Sequence, residues 1–297
     1  MAISTVRARV NGTWHTLTYD STASSYKATV TAPGATSFKQ LGGYYNVEIE
    51  ATNTAGTTFT TDGASLSGLR LVVKETVAPV ITITSPSSGA YVTNNKPSIV
   101  CTVVDESNGS GINLSTLSVK VGSTDIPYTT TAITNGYTVT ATPTAALADG
   151  SHTITVNVKD NDGNSAAQKT STFKVDTVPP TLNISAPSNG LITNQSTLTI
   201  QGTTNDTTSS PVTITITLNG TAQGTVSVGT NGSFSKAVTL TEGSNTIVVT
   251  AKDAAGKTSN VTRTVTLDTT VPEIVSASIA PNPANTGASV VISVVVT

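Results

Sequence analysis

The chain has 297 residues and a formal net charge of −2, with 11% charged and 4% aromatic side chains. This length accommodates two or three domains of ordinary size. Lys and Arg are scattered singly, which excludes a basic stripe for nucleic acid, and no apolar run approaches the ~20 residues of a membrane-spanning helix.

Val, Ile, Thr, Ser, Asn and Gly dominate, and no stretch shows a clear 3.6-residue apolar period. Thr and Val suit a pleated, half-buried surface, and Gly and Asn suit tight turns. The composition therefore predicts an all-β protein. In chain order, the first segment, MAISTVRARVNG, has no apolar core after a basic start, so it is not a signal peptide. The expectation is assembly in the cytoplasm, or else that Met1 heads a piece of an exported protein. Asn11-Gly12 joins two alternating runs and predicts a hairpin. The single Trp, Trp14, lies close to Arg7 and Arg9, and Tyr19, Tyr26, Tyr44 and Tyr45 follow soon after. Arg and aromatic side chains are enriched at interfaces. One reading makes these aromatics bulky filler for a small core. The other makes Arg7, Arg9, Trp14, Tyr44 and Tyr45 a docking surface.

Next comes GYYNVEIEATNTAGTT, an alternating run, a turn with Asn53 and Gly56, and another run. The same pattern returns as GSHTITVNVKDNDGNS from Gly150 and as GSNTIVVTAKDAAGKTS from Gly243. Each copy reads as a hairpin. A proline-led junction follows each one: VAPVITITSP from Val77, VPPTLNISAP from Val178 and VPEIVSASIAP from Val271. Such a junction, followed by an edge-type strand, marks a domain start. A further hairpin lies inside each domain, and Tyr26, Tyr137 and Phe234 are read as one equivalent position packing on the sheet. Cys101, the only cysteine, sits in SIVCTVV, where Ile99, Cys101 and Val103 share a face; it reads as a small buried hydrophobe.

These repeats divide the chain into residues 1–75, an atypical first domain; 76–176 and 177–269, complete domains; and 270–297, the opening strands of another. Each complete repeat has roughly seven short strands with turns every 8 to 12 residues, the pattern of an immunoglobulin-like sandwich. The predicted fold is all-β: tandem immunoglobulin-like β-sandwiches in an elongated array, with no disulfides. The opening DTVPPTLNISAPSNGLITNQSTLTIQGTTND and the close GSNTIVVTAKDAAGKTS resemble bacterial immunoglobulin-like repeat domains. The resemblance covers residues 76 to 269 well and both ends partly. It implies a repeat protein of a bacterial surface or of a tailed-phage virion.

The ends differ from the middle. SIVCTVVDES and TLTIQGTTND belong to the opening strand pairs of the complete domains, and the first domain has no such pair. Residues 273–297 supply an opening pair and stop at ASVVISVVVT. Either more repeats follow, or this pair completes the first domain of a neighbouring copy by head-to-tail strand exchange. A third reading makes the first domain a shortened sandwich, sealed by another protein or by its longer loops.

No catalytic set is evident. His15 and His152 stand alone, and no nucleophile elbow, phosphate loop or Cys/His metal cluster occurs. The prediction is therefore no catalytic residues, no cofactor, no metal site and no enzyme activity. One question stays open: Asp105, Glu106, Asp160, Asp162 and Asp176 lie in loops that could offer oxygens to calcium, although Asp in such loops ordinarily caps its own turn. The resemblance implies a non-enzymatic structural protein of a tailed-phage or phage-tail-like particle. Its partners would be other virion proteins and a host-surface polysaccharide or protein, with neither nucleic acid nor membrane. The alternative is the stalk of a bacterial cell-surface adhesin, and a third reading is a carbohydrate-binding appendage of an enzyme.

Overall fold

Side-chain alternation determines which face of each strand is dry. In Ile99–Val104, Ile99, Cys101 and Val103 are buried while the residues between them are partly exposed. The same period of two recurs in Ile112–Val121, Gly150–Asp160 and Gly243–Lys252. The structure is a computed structural model in which residues 2–297 are described. The only helical turns among them are Ser37–Lys39 and Ser67–Leu69. Two compact units are present, one ending at Asp176 and the other running from Thr177 to Thr297.

The first unit contains a complete sandwich. One sheet has the order Tyr128–Ile133, Gly136–Ala141, Ile99–Val104, Val80–Ser85. The facing sheet has the order Tyr91–Val92, Lys169–Val175, Gly150–Asp160, Ile112–Val121, Thr124–Asp125. Ile99, Val103, Val139, Ile154, Val156 and Phe173 fill the space between them. Burying each such side chain contributes roughly 1.5–3 kcal/mol. Cys101 is part of this core, and burial pushes its thiol up to about 11.

The N-terminal domain of the same unit has one sheet of comparable size, ordered Thr13–Thr16, Ile3–Val10, Glu48–Asn53, Thr58–Asp62. This matches strand for strand the run Thr124–Asp125, Ile112–Val121, Gly150–Asp160, Lys169–Val175. Of the opposing sheet, only the short hairpin Thr18–Asp20 and Ser25–Lys27 has a counterpart. Among the described residues, no strand of this domain corresponds to Val80–Ser85 or Ile99–Val104. Its longer connections are ordered instead. Thr36 caps the turn Ser37–Lys39, the Ser37 amide donates to Val73 O, and Tyr45–Asn46 pairs with Arg70–Leu71.

The second unit repeats the sandwich. Thr181–Ala186, Thr197–Asn205 and Ser233–Thr239 face Leu191–Thr193, Thr258–Leu267, Gly243–Lys252, Thr213–Leu218 and Thr221–Ala222. Ile200, Ile216, Phe234, Ile247 and Val249 are among its core residues. Ile274–Ala280 and Val291–Val296 form a separate two-stranded hairpin whose side chains are all exposed.

The expected equivalence of Tyr26, Tyr137 and Phe234 does not hold in register. Tyr137 lies opposite Val103, two positions before Asp105, whereas Phe234 lies opposite Gly202, four positions before Asp206. Tyr26 pairs with Tyr19 in the small hairpin. The shift in the second unit has a steric reason. The Phe234 ring occupies the space beside Gly202, where a Cβ would come within 2.6 Å of its Cζ.

Candidate functional site

The strand Ile3–Val10 turns Val6, Ala8 and Val10 inward and leaves Arg7 and Arg9 on the opposite face. Its register sets Arg9 across from Trp14 on one side and from Glu48 on the other, and Arg7 across from Glu50. The result is a charged and aromatic row on the outer face. Arg7 Nε donates to Glu50 Oε1 at 2.6 Å, and the Arg7 guanidinium stands 4.4 Å from the Trp14 ring centre. Arg9 Nη1 donates to Glu48 Oε2 at 3.4 Å, and the Arg9 guanidinium carbon lies 6.0 Å from the centre of the same ring. The hydrogen bond to Glu50 raises the Arg7 pKa above its ordinary value. Exposed ion pairs of this kind add little to stability, so the row matters more as a surface than as a fold determinant.

Tyr44 and Tyr45 part company. Tyr44 is partly exposed and lies under Arg70, with the guanidinium 4.9 Å from its ring centre. Tyr45 is only 7% exposed, and its hydroxyl donates to Ala35 O at 3.0 Å. It is a structural member of the domain, a correction to its expected place on the docking surface. Both tyrosines border a groove of about 510 Å³ shared with Arg9, Asn11, Asn46 and Glu48. The structure thus brings Arg7, Arg9 and Trp14 together and places Tyr44 at the end of the adjoining groove. His15 lies opposite Ala8 on the inner side of the row. His152 packs on Phe173 and is bonded to Ala148 O, which ties it to its own loop.

The acidic residues also separate by role. Asp160 accepts from the amides of Gly163 and Asn164 and from the Asn164 side chain, the ordinary capping of its own turn. Asp253 caps the matching turn through the Lys257 amide. Asp162 accepts from Thr36 Oγ1 and from the Glu75 amide, joining the N-terminal domain to the sandwich beside it. Asp176 is buried, and its amide donates to Val92 O.

Asp105 and Glu106 differ from these. They follow the strand Ile99–Val104 and meet Glu75, the residue that ends the N-terminal domain. One carboxylate oxygen from each of the three lies within 4.8 Å of the others. The loop DESNGSG wraps them closely: a Cβ on Gly109 would come within 2.5 Å of Asp105 Oδ2 and 2.7 Å of Glu106 Oε1. Asp105 Oδ2 accepts from the Gly111 amide at 2.6 Å, and Glu75 Oε1 accepts from the Ser110 amide and hydroxyl, both at 3.0 Å. Asp105 is 4% exposed, yet its Oδ1 has no hydrogen-bond partner, and neither has the buried Glu106 Oε2. No Lys, Arg or His nitrogen forms an ion pair with these carboxylates among the described residues. Lys39 borders the same cleft without reaching them. Burial, then the closeness of Glu75 and of Asp105, pushes the Glu106 carboxyl up to about 7. Glu75 is the member that the sequence reading missed. Its signal lay in the junction: Glu75 stands two residues before Val77, as Asp176 stands two before Val178.

Two family models match the chain. Residues 82–177 match the bacterial Ig-like domain, and residues 180–269 match domain B of glucodextranase. The chain carries bacterial immunoglobulin-like repeats. No curated protein matches the sequence. Among solved structures, these repeats are similar to the fibronectin(III)-like modules of Clostridium thermocellum CbhA, at 22% identity over 63% of this chain and 94% of that one, with a TM-score of 0.39. Immunoglobulin domains 1–5 of Sidekick-1 align at 13% identity over 92% of this chain and 56% of theirs, with a TM-score of 0.40. A structure from a 1.5-MDa bacterial ice-binding adhesin aligns at 20% identity over 90% and 88%, with a TM-score of 0.31. No helix among the described residues is long and apolar enough to cross a membrane.

Proposed function

We propose that the protein is a non-enzymatic structural module whose N-terminal domain docks on a larger assembly. Its immunoglobulin-like repeats then act as a spacer or a weak binder of a host surface. The observation that carries this reading is the Arg7–Trp14–Arg9 row, in which two arginines, each paired with a glutamate, lie against one partly exposed indole on a domain otherwise short of strands. Arg and Trp are the side chains most often found at the energetic centre of interfaces. The assembly we favour is a tailed-phage or phage-tail-like particle with other virion proteins as partners, where many copies would strengthen weak surface binding. The match of residues 82–177 to a bacterial repeat family also supports a second reading, the stalk of a cell-surface adhesin.

Substituting Arg7, Arg9 and Trp14 together by Ala tests docking. The expected result is loss of incorporation into the parent particle, with the thermal transitions of residues 76–269 unchanged. Normal incorporation would refute it. Quantifying the native protein in purified particles and in the outer cell-surface fraction separates the two assemblies.

A further inference from the structure

We propose that Glu75, Asp105 and Glu106 bind a hard divalent cation of the calcium type. Three carboxylates converge where the described residues place no ion-pairing cation, and such a group is strongly repulsive when it is ionised in a largely buried setting. The cluster is also prepared on one side only. Backbone and hydroxyl donors hold Asp105 Oδ2 and Glu75 Oε1, while Asp105 Oδ1 and Glu106 Oε2 are buried without a donor. Asp105, at 4% exposure, is the decisive member, because a buried carboxylate oxygen with no partner is costly unless something outside the protein supplies the charge.

The spacing suits such an ion. Calcium holds oxygens at ~2.3–2.6 Å, so two ligands on opposite sides of it stand at most about 5 Å apart. The three carboxylate oxygens lie within 4.8 Å of one another. Calcium takes 6–8 oxygens, and the adjoining cleft of about 330 Å³ leaves room for water to complete the shell. Gly109 has its own part, since a side chain there would occupy the carboxylates' space. Glu75 comes from the end of the N-terminal domain, and Asp105 and Glu106 from the sandwich beside it. The ion would therefore cross-link the two and fix the direction in which the docking domain leaves the repeat.

Calorimetric titration of the EDTA-stripped full chain with calcium chloride tests the site, alongside thermal melting with and without the ion. Asp105→Asn and Glu75→Gln are each expected to lower the bound stoichiometry by one ion per chain, or to weaken that ion at least tenfold. Asp125→Asn, at an exposed ion pair with Lys120, is expected to change neither. The sign of the melting shift is a second readout. Without calcium, Asp105→Asn should melt above the wild type because repulsion is relieved; with calcium, the order should reverse. Identical stoichiometry and affinity in all four proteins would overturn the proposal, as would the absence of any binding at millimolar calcium. Glu75→Gln, at a position less buried than Asp105, keeps the test intact if Asp105→Asn does not fold.

Discussion

Gly202 shows how closely the sheets of the second unit pack at the level of single atoms. It lies within the strand Thr197–Asn205, where glycine weakens pairing unless another group needs the space. A Cβ at this position would lie 2.3 Å from Asn183 O and 2.6 Å from Phe234 Cζ. The first contact is with backbone in the neighbouring strand and cannot be relieved by rotating a side chain. Gly202→Ala should therefore destabilise the second unit by about 1–3 kcal/mol, the usual range for an overpacked core. Gly34→Ala, where a Cβ would meet nothing, is the control and should stay within about 0.5 kcal/mol of the wild type. Calorimetric unfolding of both variants checks this, and a Gly202→Ala protein that melts like the wild type would contradict the steric account. At this scale the sequence was partly legible. An isolated glycine in a strand signals close approach, and Cys101 was readable as core from its alternating neighbours. The two-residue displacement of Phe234 relative to Tyr137 was not, because both follow a glycine turn and only the pairing register tells them apart.

Among elements, the joint between the N-terminal domain and the adjacent sandwich depends on a few polar contacts. Asp162 accepts from Thr36 and from the Glu75 amide, Asn164 Nδ2 donates to Glu75 O at 3.2 Å, and the Ser110 amide and hydroxyl donate to Glu75 Oε1. A hydrogen bond to a charged group is worth ~1.5–3 kcal/mol, so removing Asp162 should raise local opening by roughly tenfold or more. Asp162→Ala is expected to speed tryptic cleavage after Lys74 and hydrogen exchange at the Glu75 amide. Exchange in the core strands Ile99–Val104 and Gly150–Asp160 should remain as it was. An unchanged cleavage rate would mean that other contacts hold the joint. The strands, the hairpins and the sandwich topology were readable because alternation and turn residues are local signals. The joint was not readable in the same way. Thr36 and Asp162 are far apart in sequence, and neither stands in a repeated motif that would point to the other.

For the whole molecule, the unresolved tension between sequence and stability lies in residues 271–297. A two-stranded hairpin by itself is marginal in water. Here Ile274, Val291, Ile292 and Val296 are each at least 60% exposed, and Glu273 is the only charged residue in the segment. Edges of native sheets are normally protected by charge, by a bulge or by a covering element. This hairpin has one register shift near Ile274–Ser276 and otherwise offers regular, uncharged edges. The two sandwich cores are built from other Val and Ile residues and do not include this hairpin. Removing residues 271–297 should therefore leave the unfolding transitions of the remaining chain within about 0.5 kcal/mol, since no buried core contact is lost. If the hairpin's uncharged edges pair between copies, the full chain will associate with rising concentration and the shortened chain will not, which sedimentation velocity can follow. Ile292→Lys in the intact chain should reproduce much of that effect by placing one charge on the strand. If the shortened protein and the Ile292→Lys variant associate as strongly as the wild type, the contact lies elsewhere. The outer face of Ile3–Val10, with Arg7, Arg9 and Trp14, would then be the next surface to alter.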